Sequence, residues 1–209
     1  MEIAAEFGIT HPAALHLLER IQIDSTSPAS AGSAARAGGH IGELAEQHGI
    51  TTVMGLIGLQ DAAVRSDHPD SAGTAARAGR NVEEIATAFG ITYFGARIQL
   101  ERMQIDSTNP ASAGFAVRAG GDVGTLAQQH GITTRAGLLS LQEAVFHHSA
   151  SPAVLNGEDV HAVTQRYGIV DLRLIGRLGD QATTYQAALA MNAGGAGRAR
   201  DAGGGKGAP

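Results

Sequence analysis

Nine histidines and no cysteines set the range of side-chain chemistry open to this chain. Without thiols there are no disulfides, no thiolate metal sites and no cysteine nucleophile. His48 and His130 each stand just before a glycine, but the matching places elsewhere hold Phe7, Phe89 and Tyr167. A place shared by metal-binding rings and rings that cannot bind metal reads as a packing place. A histidine at a helix C-terminus also interacts favourably with the helix dipole. His147 and His148 are adjacent. Neighbours in a helix do not share a face, so this pair makes a poor two-ligand site and reads as an exposed polar loop. Asp24 and Asp106 each open an Asp-Ser-Thr-x-Pro run, a loop and cap device. A calcium loop would need several acids at alternating spacing and a closing glutamate. The Gly-Gly-Gly-Lys-Gly stretch at 203–207 has no strand or helix to frame it as a phosphate loop. No Gly-x-x-x-x-Gly-Lys-Ser/Thr, His-Glu-x-x-His or Gly-x-Ser-x-Gly motif occurs, and no nucleophile–base pair is marked. The expectation is a non-enzymatic protein with no cofactor and no metal.

Whatever the chain does must therefore come from how its elements present a surface. The 209 residues are 43% hydrophobic but only 4% aromatic, with no tryptophan. Alanine and glycine make up much of the difference, so the core must be small side chains and aliphatics, with helix axes close together. The formal net charge is -5 and the pI near 6.0, without the basic balance of a dedicated nucleic-acid binder. The N-terminus, MEIAAEFGIT, has an early acid, no basic region and no long apolar run, so it is not a Sec signal. No segment approaches the roughly 18 apolar residues of a membrane span. These features predict a soluble, cytoplasmic protein, or one secreted by a route that uses no Sec signal. The Ala, Gly and Arg bias suits a GC-rich bacterial genome.

The organising feature is an internal repeat. Gly-Ile-Thr occurs at Gly8, Gly49, Gly90 and Gly131, at intervals of 41 residues, and Gly-Ile-Val follows at Gly168 after 37. Leu18, Leu59, Leu100, Leu141 and Leu178 each lie ten residues after the glycine; Ile3, Leu44, Ile85, Leu126 and Val163 lie five before it. A longer period sits on top: residues 18–62 match 100–144 at about 32 of 45 positions. The unit was doubled, diverged, and then duplicated as a pair of units.

Each unit reads as three helices. In the copy that starts near Pro28, helix A is ASAGSAARAG, and its Ser and Pro supply a cap and a preset φ. Helix B spans Ile41 to His48, with Ile41, Leu44, Ala45 and His48 on one face. Gly49 takes the left-handed position after it. Thr51 is the expected N-cap of helix C, which runs from Thr52 to about Val64 with Leu56, Leu59 and Ala63 inward. The RAGG stretches at 36–39 and 118–121 end helix A. The first copy has no helix A, an open end through which the chain could self-associate. The last copy replaces the helix A segment by SASPAVLNGED. Residues 193–209 read as a flexible Gly-rich tail.

VEEIATAFGITYFGARIQLERM (82–103) and IAAEFGITHPAALHLLERI (3–21) resemble the helix-turn-helix of bacterial DNA-binding regulators. The shared elements are an alanine on the first helix, a glycine four residues later, and an aliphatic plus Ser or Thr after it. The match covers about 20 residues per unit. The resemblance implies that the second helix enters the major groove and reads bases with its first residues. The chain departs from the pattern six residues after the glycine, where regulators carry an aliphatic and this sequence has Ala14, Gly55, Ala96 and Gly137, with Leu174 only in the last copy. Groove-reading side chains are Arg, Lys, Asn or Gln. Helix C of the second copy instead begins Thr52, Val53, Met54; only Arg135 in the fourth, Arg97, Gln99 and Arg102 in the third, and Arg173 and Arg177 in the fifth suit the role.

The fold expected is all-α: tandem three-helix repeats stacked as an α-solenoid-like array over 1–192, in units of about 1–24, 25–65, 66–106, 107–149 and 150–192. The function expected is binding of another macromolecule, a protein first and DNA as the alternative; an effector delivered to a host cell is a further alternative. Binding residues are sought where the frame is constant but the side chain varies: Val53, Met54, Tyr93, Phe94, Arg97, Arg135 and Arg173. Exposed aromatics would mark contact hot spots in a chain with so few; alternatively Tyr93 or Phe94 fills the space left by Gly95 and Ala96.

Overall fold

In a computed structural model the described residues are Gly8 and 11–201, with side-chain surroundings through 191. The expected first helix B, with Ile3, Ala4 and Phe7, lies outside them, as do residues 202–209. The described residues are helical, with no strand among them. In chain order the helices are α1 (Pro12–Asp24), α2 (Ala31–Arg36), α3 (Ile41–His48), α4 (Val53–Arg65), α5 (Ala72–Arg77), α6 (Val82–Phe89), α7 (Phe94–Asp106), α8 (Ala113–Arg118), α9 (Val123–His130), α10 (Arg135–Val145), α11 (Ser151–Leu155), α12 (Val160–Tyr167) and α13 (Leu172–Asp201). A π-helical turn, Phe146–Ala150, joins α10 to α11.

Local chemistry sets each boundary. Gly8, Gly49, Gly90, Gly131 and Gly168 all have φ between 60° and 68°, the left-handed conformation that closes a helix. Ile50, Ile91 and Ile132 then fold back into the core. The helix C cap is the second threonine rather than the first: the Thr52 side chain accepts from Gly55 N–H at 3.0 Å. The expected cap, Thr51, is engaged elsewhere through its amide. Ser30, Ser71 and Ser112 cap the short helices α2, α5 and α8. Each also donates to the carbonyl of Ser25, Ser66 or Ser107, five residues earlier, at 3.0 Å. Arg36, Arg77 and Arg118 reach back to the same three carbonyls. The arginine of each helix A therefore caps the end of the preceding helix C.

Packing follows from small side chains. A Cβ on Gly32, Gly73 or Gly114 would lie 1.7, 2.0 and 2.0 Å from the backbone oxygens of Ile23, Val64 and Ile105. Each helix A thus rests backbone against backbone on the helix before it. α2 packs on α1 and α4, α5 on α4 and α7, and α8 on α7 and α10; α4 also contacts α1 and α7, and α7 contacts α10. Leu59, Leu100, Leu141 and Leu178 are fully buried, each contributing about 1.5–3 kcal/mol by removal from water. The buried apolar residues form two clusters, from Ile23 to Leu100 and from Ile105 to Leu178.

The fourth and fifth copies differ from the expected pattern. His147 and His148 are exposed, as expected, but sit in the π-helical turn rather than a loop. The interval from Gly131 to Gly168 is four residues shorter than the others. Helix C here continues through the π turn into α11 instead of breaking at a Ser-Thr-x-Pro loop. Phe146 is buried by the same turn, with the Arg177 guanidinium 4.3 Å from its ring centroid. At the C-terminus, helix α13 continues to Asp201, into the segment that composition assigns to the tail. Ala187, Ala188 and Ala190, with Leu189 among them, are strong helix formers and carry the helix onward.

Candidate functional site

The turn between helix B and helix C is where neighbouring units meet. Glu19 of α1 accepts from the amides of Thr51 and Thr52, at 2.6 and 3.0 Å, and from the Thr52 hydroxyl. Residues 41 further on repeat the contact. Gln60 of α4 accepts from the amides of Thr92 and Tyr93 at 2.8 and 2.7 Å. Glu101 of α7 accepts from Thr133 and Thr134 at 2.8 and 2.9 Å and from the Thr134 hydroxyl. Gln142 of α10 accepts from Val170 and Asp171, both at 2.9 Å. All four side chains are buried. Each satisfies two amides that the start of helix C leaves without intrahelical partners, and each does so from the previous unit. Burial alone would raise the Glu19 carboxyl; hydrogen bonds from Thr52 and Thr51 outweigh it and hold the group below the ordinary carboxylate range.

The same geometry explains the departure from the helix-turn-helix pattern. A Cβ on Gly55 would lie 2.4 Å from a Glu19 carboxylate oxygen, and one on Gly137 would lie 2.0 Å from Glu101. The sixth residue after the turn is glycine where the incoming side chain is glutamate.

With its turn anchored in this way, helix C presents its first residues outward. Val53 is 72% exposed, Met54 56%, Phe94 58% and Leu172 82%. Val53, Phe94, Arg135 and Leu172 occupy equivalent places, four residues after the turn glycine. Val170 is also exposed. Val170 and Leu172 were absent from the sequence-derived set, although the four-residue register leads directly to Leu172. Tyr93 and Phe94 are both exposed, at 39% and 58%; the Tyr93 ring lies over Gly95, where an added Cβ would meet it at 2.6 Å, while Phe94 projects further.

The arginines divide. Arg97 pairs with Glu83, which also accepts from the Thr133 hydroxyl at 2.9 Å, so its guanidinium ties α7 to α6 and the next turn. Arg173 pairs with Asp171 at 2.7 Å. Arg135 is exposed, and a shallow depression of about 390 Å³ brings it together with Arg173, Leu139 and Val170. A second groove of about 450 Å³ lies between α1 and α4, with Met54, Ile57 and Ile23 beside Arg20, Asp24 and Asp61. On α1, Leu17 and Ile21 are exposed.

The remaining candidates sort simply. His130 is buried, and burial pushes its imidazole below the ordinary histidine range; His48 is half-buried. Among the described residues no three metal-ligating side chains cluster, and no helix is long and apolar enough to cross a membrane. No protein family model, no curated protein and no solved structure matches the chain.

Proposed function

We propose that this chain is a non-enzymatic scaffold, a solenoid-like stack of helical repeats that binds a protein partner along the outward ends of its C helices. The observation that carries this reading is the exposure of Val53, Met54, Phe94, Val170 and Leu172 at repeated places on successive helix starts. An aromatic or aliphatic side chain held outward on a rigid helix can anchor a protein interface when the partner offers it a pocket. The groove beside Met54 and the depression beside Arg135 add pockets next to two of these helix starts.

DNA binding through the helix-turn-helix-like units is the second reading. It is supported by Arg135, which is exposed at a helix start. Against it, the helix starts at Val53, Phe94 and Leu172 carry no hydrogen-bonding side chain for a base edge. Arg97 and Arg173 already hold acidic partners.

A titration with a random-sequence DNA duplex at about 50 and 200 mM salt separates the two, because phosphate contacts make affinity fall steeply with salt. A protein scaffold gives no binding at either salt. Tight, salt-sensitive binding that survives removal of residues 193–209 and is lost in Arg135→Ala would put DNA first.

A further inference from the structure

The four latches between units differ in one chemical respect. Glu19 and Glu101 face Thr-Thr turns followed by glycine at 55 and 137. Gln60 and Gln142 face Thr92-Tyr93 and Val170-Asp171, followed by Ala96 and Leu174. The carboxylate accepts with both oxygens, one from the two amides and one from the threonine hydroxyl that caps the same helix. The carboxamide accepts with its single oxygen, and the second residue of its turn offers no Cβ hydroxyl. We propose that the unit junctions are of two non-interchangeable kinds, carboxylate and carboxamide, and that this chemistry fixes which unit accepts which neighbour.

A carboxylate placed at Gln60 would find no threonine hydroxyl for its second oxygen, because Tyr93 stands where Thr52 and Thr134 stand in the other junctions. A carboxamide at Glu101 would turn a donor toward the Thr134 hydroxyl, which then loses its acceptor in a buried site. The kinds alternate along the chain, in step with the longer two-unit period of the sequence. The fifth unit has Gly179 in the latch place and so carries no latch.

Glu19 and Glu101 hydrogen-bond only to the threonines of the next turn.

A junction swap on the full chain tests this. Gln60→Glu and the pair Tyr93→Thr/Ala96→Gly should each lower the urea midpoint, and the three together should be more stable than Gln60→Glu alone. Additive losses would overturn it, and so would a triple variant that fails to fold where the pair Tyr93→Thr/Ala96→Gly folds.

Discussion

Replacing Glu101 with alanine strips three hydrogen bonds from one junction at once. The Thr133 and Thr134 amides lose an acceptor at 2.8 and 2.9 Å, and the Thr134 hydroxyl loses its partner as well. Glu101 is fully buried and Thr134 nearly so, so the orphaned Thr134 donors can reach water only through the space the carboxylate vacates. Bonds to a charged acceptor contribute about 1.5–3 kcal/mol each, and removing one partner leaves the other with its full desolvation penalty. Relief from burying the carboxylate offsets part of this. No charge is left unpaired, and the departing carboxylate leaves room for a water beside Gly137, so a net cost of about 3–4 kcal/mol is expected. Gln60→Ala removes two bonds to a neutral acceptor, and about 2 kcal/mol is expected. Urea denaturation followed by far-UV circular dichroism, with the slope checked for constancy, gives both values. Glu101→Ala should be the more destabilised. A Glu101→Ala variant within about 1 kcal/mol of the parent, or one more stable than Gln60→Ala, would refute the view that these side chains join the units.

Other perturbations read other parts of the structure. Gly114→Ala would bring a Cβ to 2.0 Å from the Ile105 carbonyl oxygen; it should destabilise by about 2–3 kcal/mol through overpacking and shift the thermal midpoint downward. Gly124→Ala, with only the Asp122 side chain nearby at 3.4 Å, should be neutral or stabilising in the same melt. His130 is held neutral by burial, with a folded pKa below its unfolded one. Stability should therefore fall as pH drops below about 6.5, where the unfolded chain takes up a proton that the folded chain refuses. His130→Phe, the ring type at the equivalent Phe89, should flatten denaturant midpoints between pH 7 and 5. Glu19 acts in the same direction at lower pH: its folded pKa is depressed, so its contribution is complete above the ordinary glutamate pKa and is lost as pH falls through the lower folded value. Glu19→Gln should remove that acid step from the same denaturant series.

Much of the helical frame was legible from spacing. The glycine register, the core leucines and the bounds of helix B follow from period and propensity, and the structure places α3, α6, α9 and α12 just before Gly49, Gly90, Gly131 and Gly168. The latches were not read, although Glu19, Gln60, Glu101 and Gln142 keep the same register as the leucines beside them. A polar residue next to a core leucine reads as the solvent side of an amphipathic helix. Only the neighbouring unit, 28 to 33 residues away, makes that side an interior. Thr51 looked like the cap when Thr52 is: Glu19 takes both amides, and it is the Thr52 hydroxyl oxygen that receives Gly55 N–H. At the surface, composition singled out Tyr93 and Phe94 together. Separating the ring that fills the space over Gly95 from the ring that projects needed the backbone of the turn. Arg97 and Arg173 looked free because their acidic partners, Glu83 and Asp171, are set by packing and local turn geometry.

The most direct test of the scaffold reading is to install a photo-cross-linking phenylalanine analogue at position 94, where the side chain projects, and irradiate cells that naturally make the protein. A control at Glu46, exposed on the polar face of α3, reports background. The account predicts a discrete protein adduct at position 94 that is absent at position 46 and disappears when Val53 and Leu172 are both changed to lysine. Adducts that are the same at both positions, or nucleic-acid adducts alone, would contradict it.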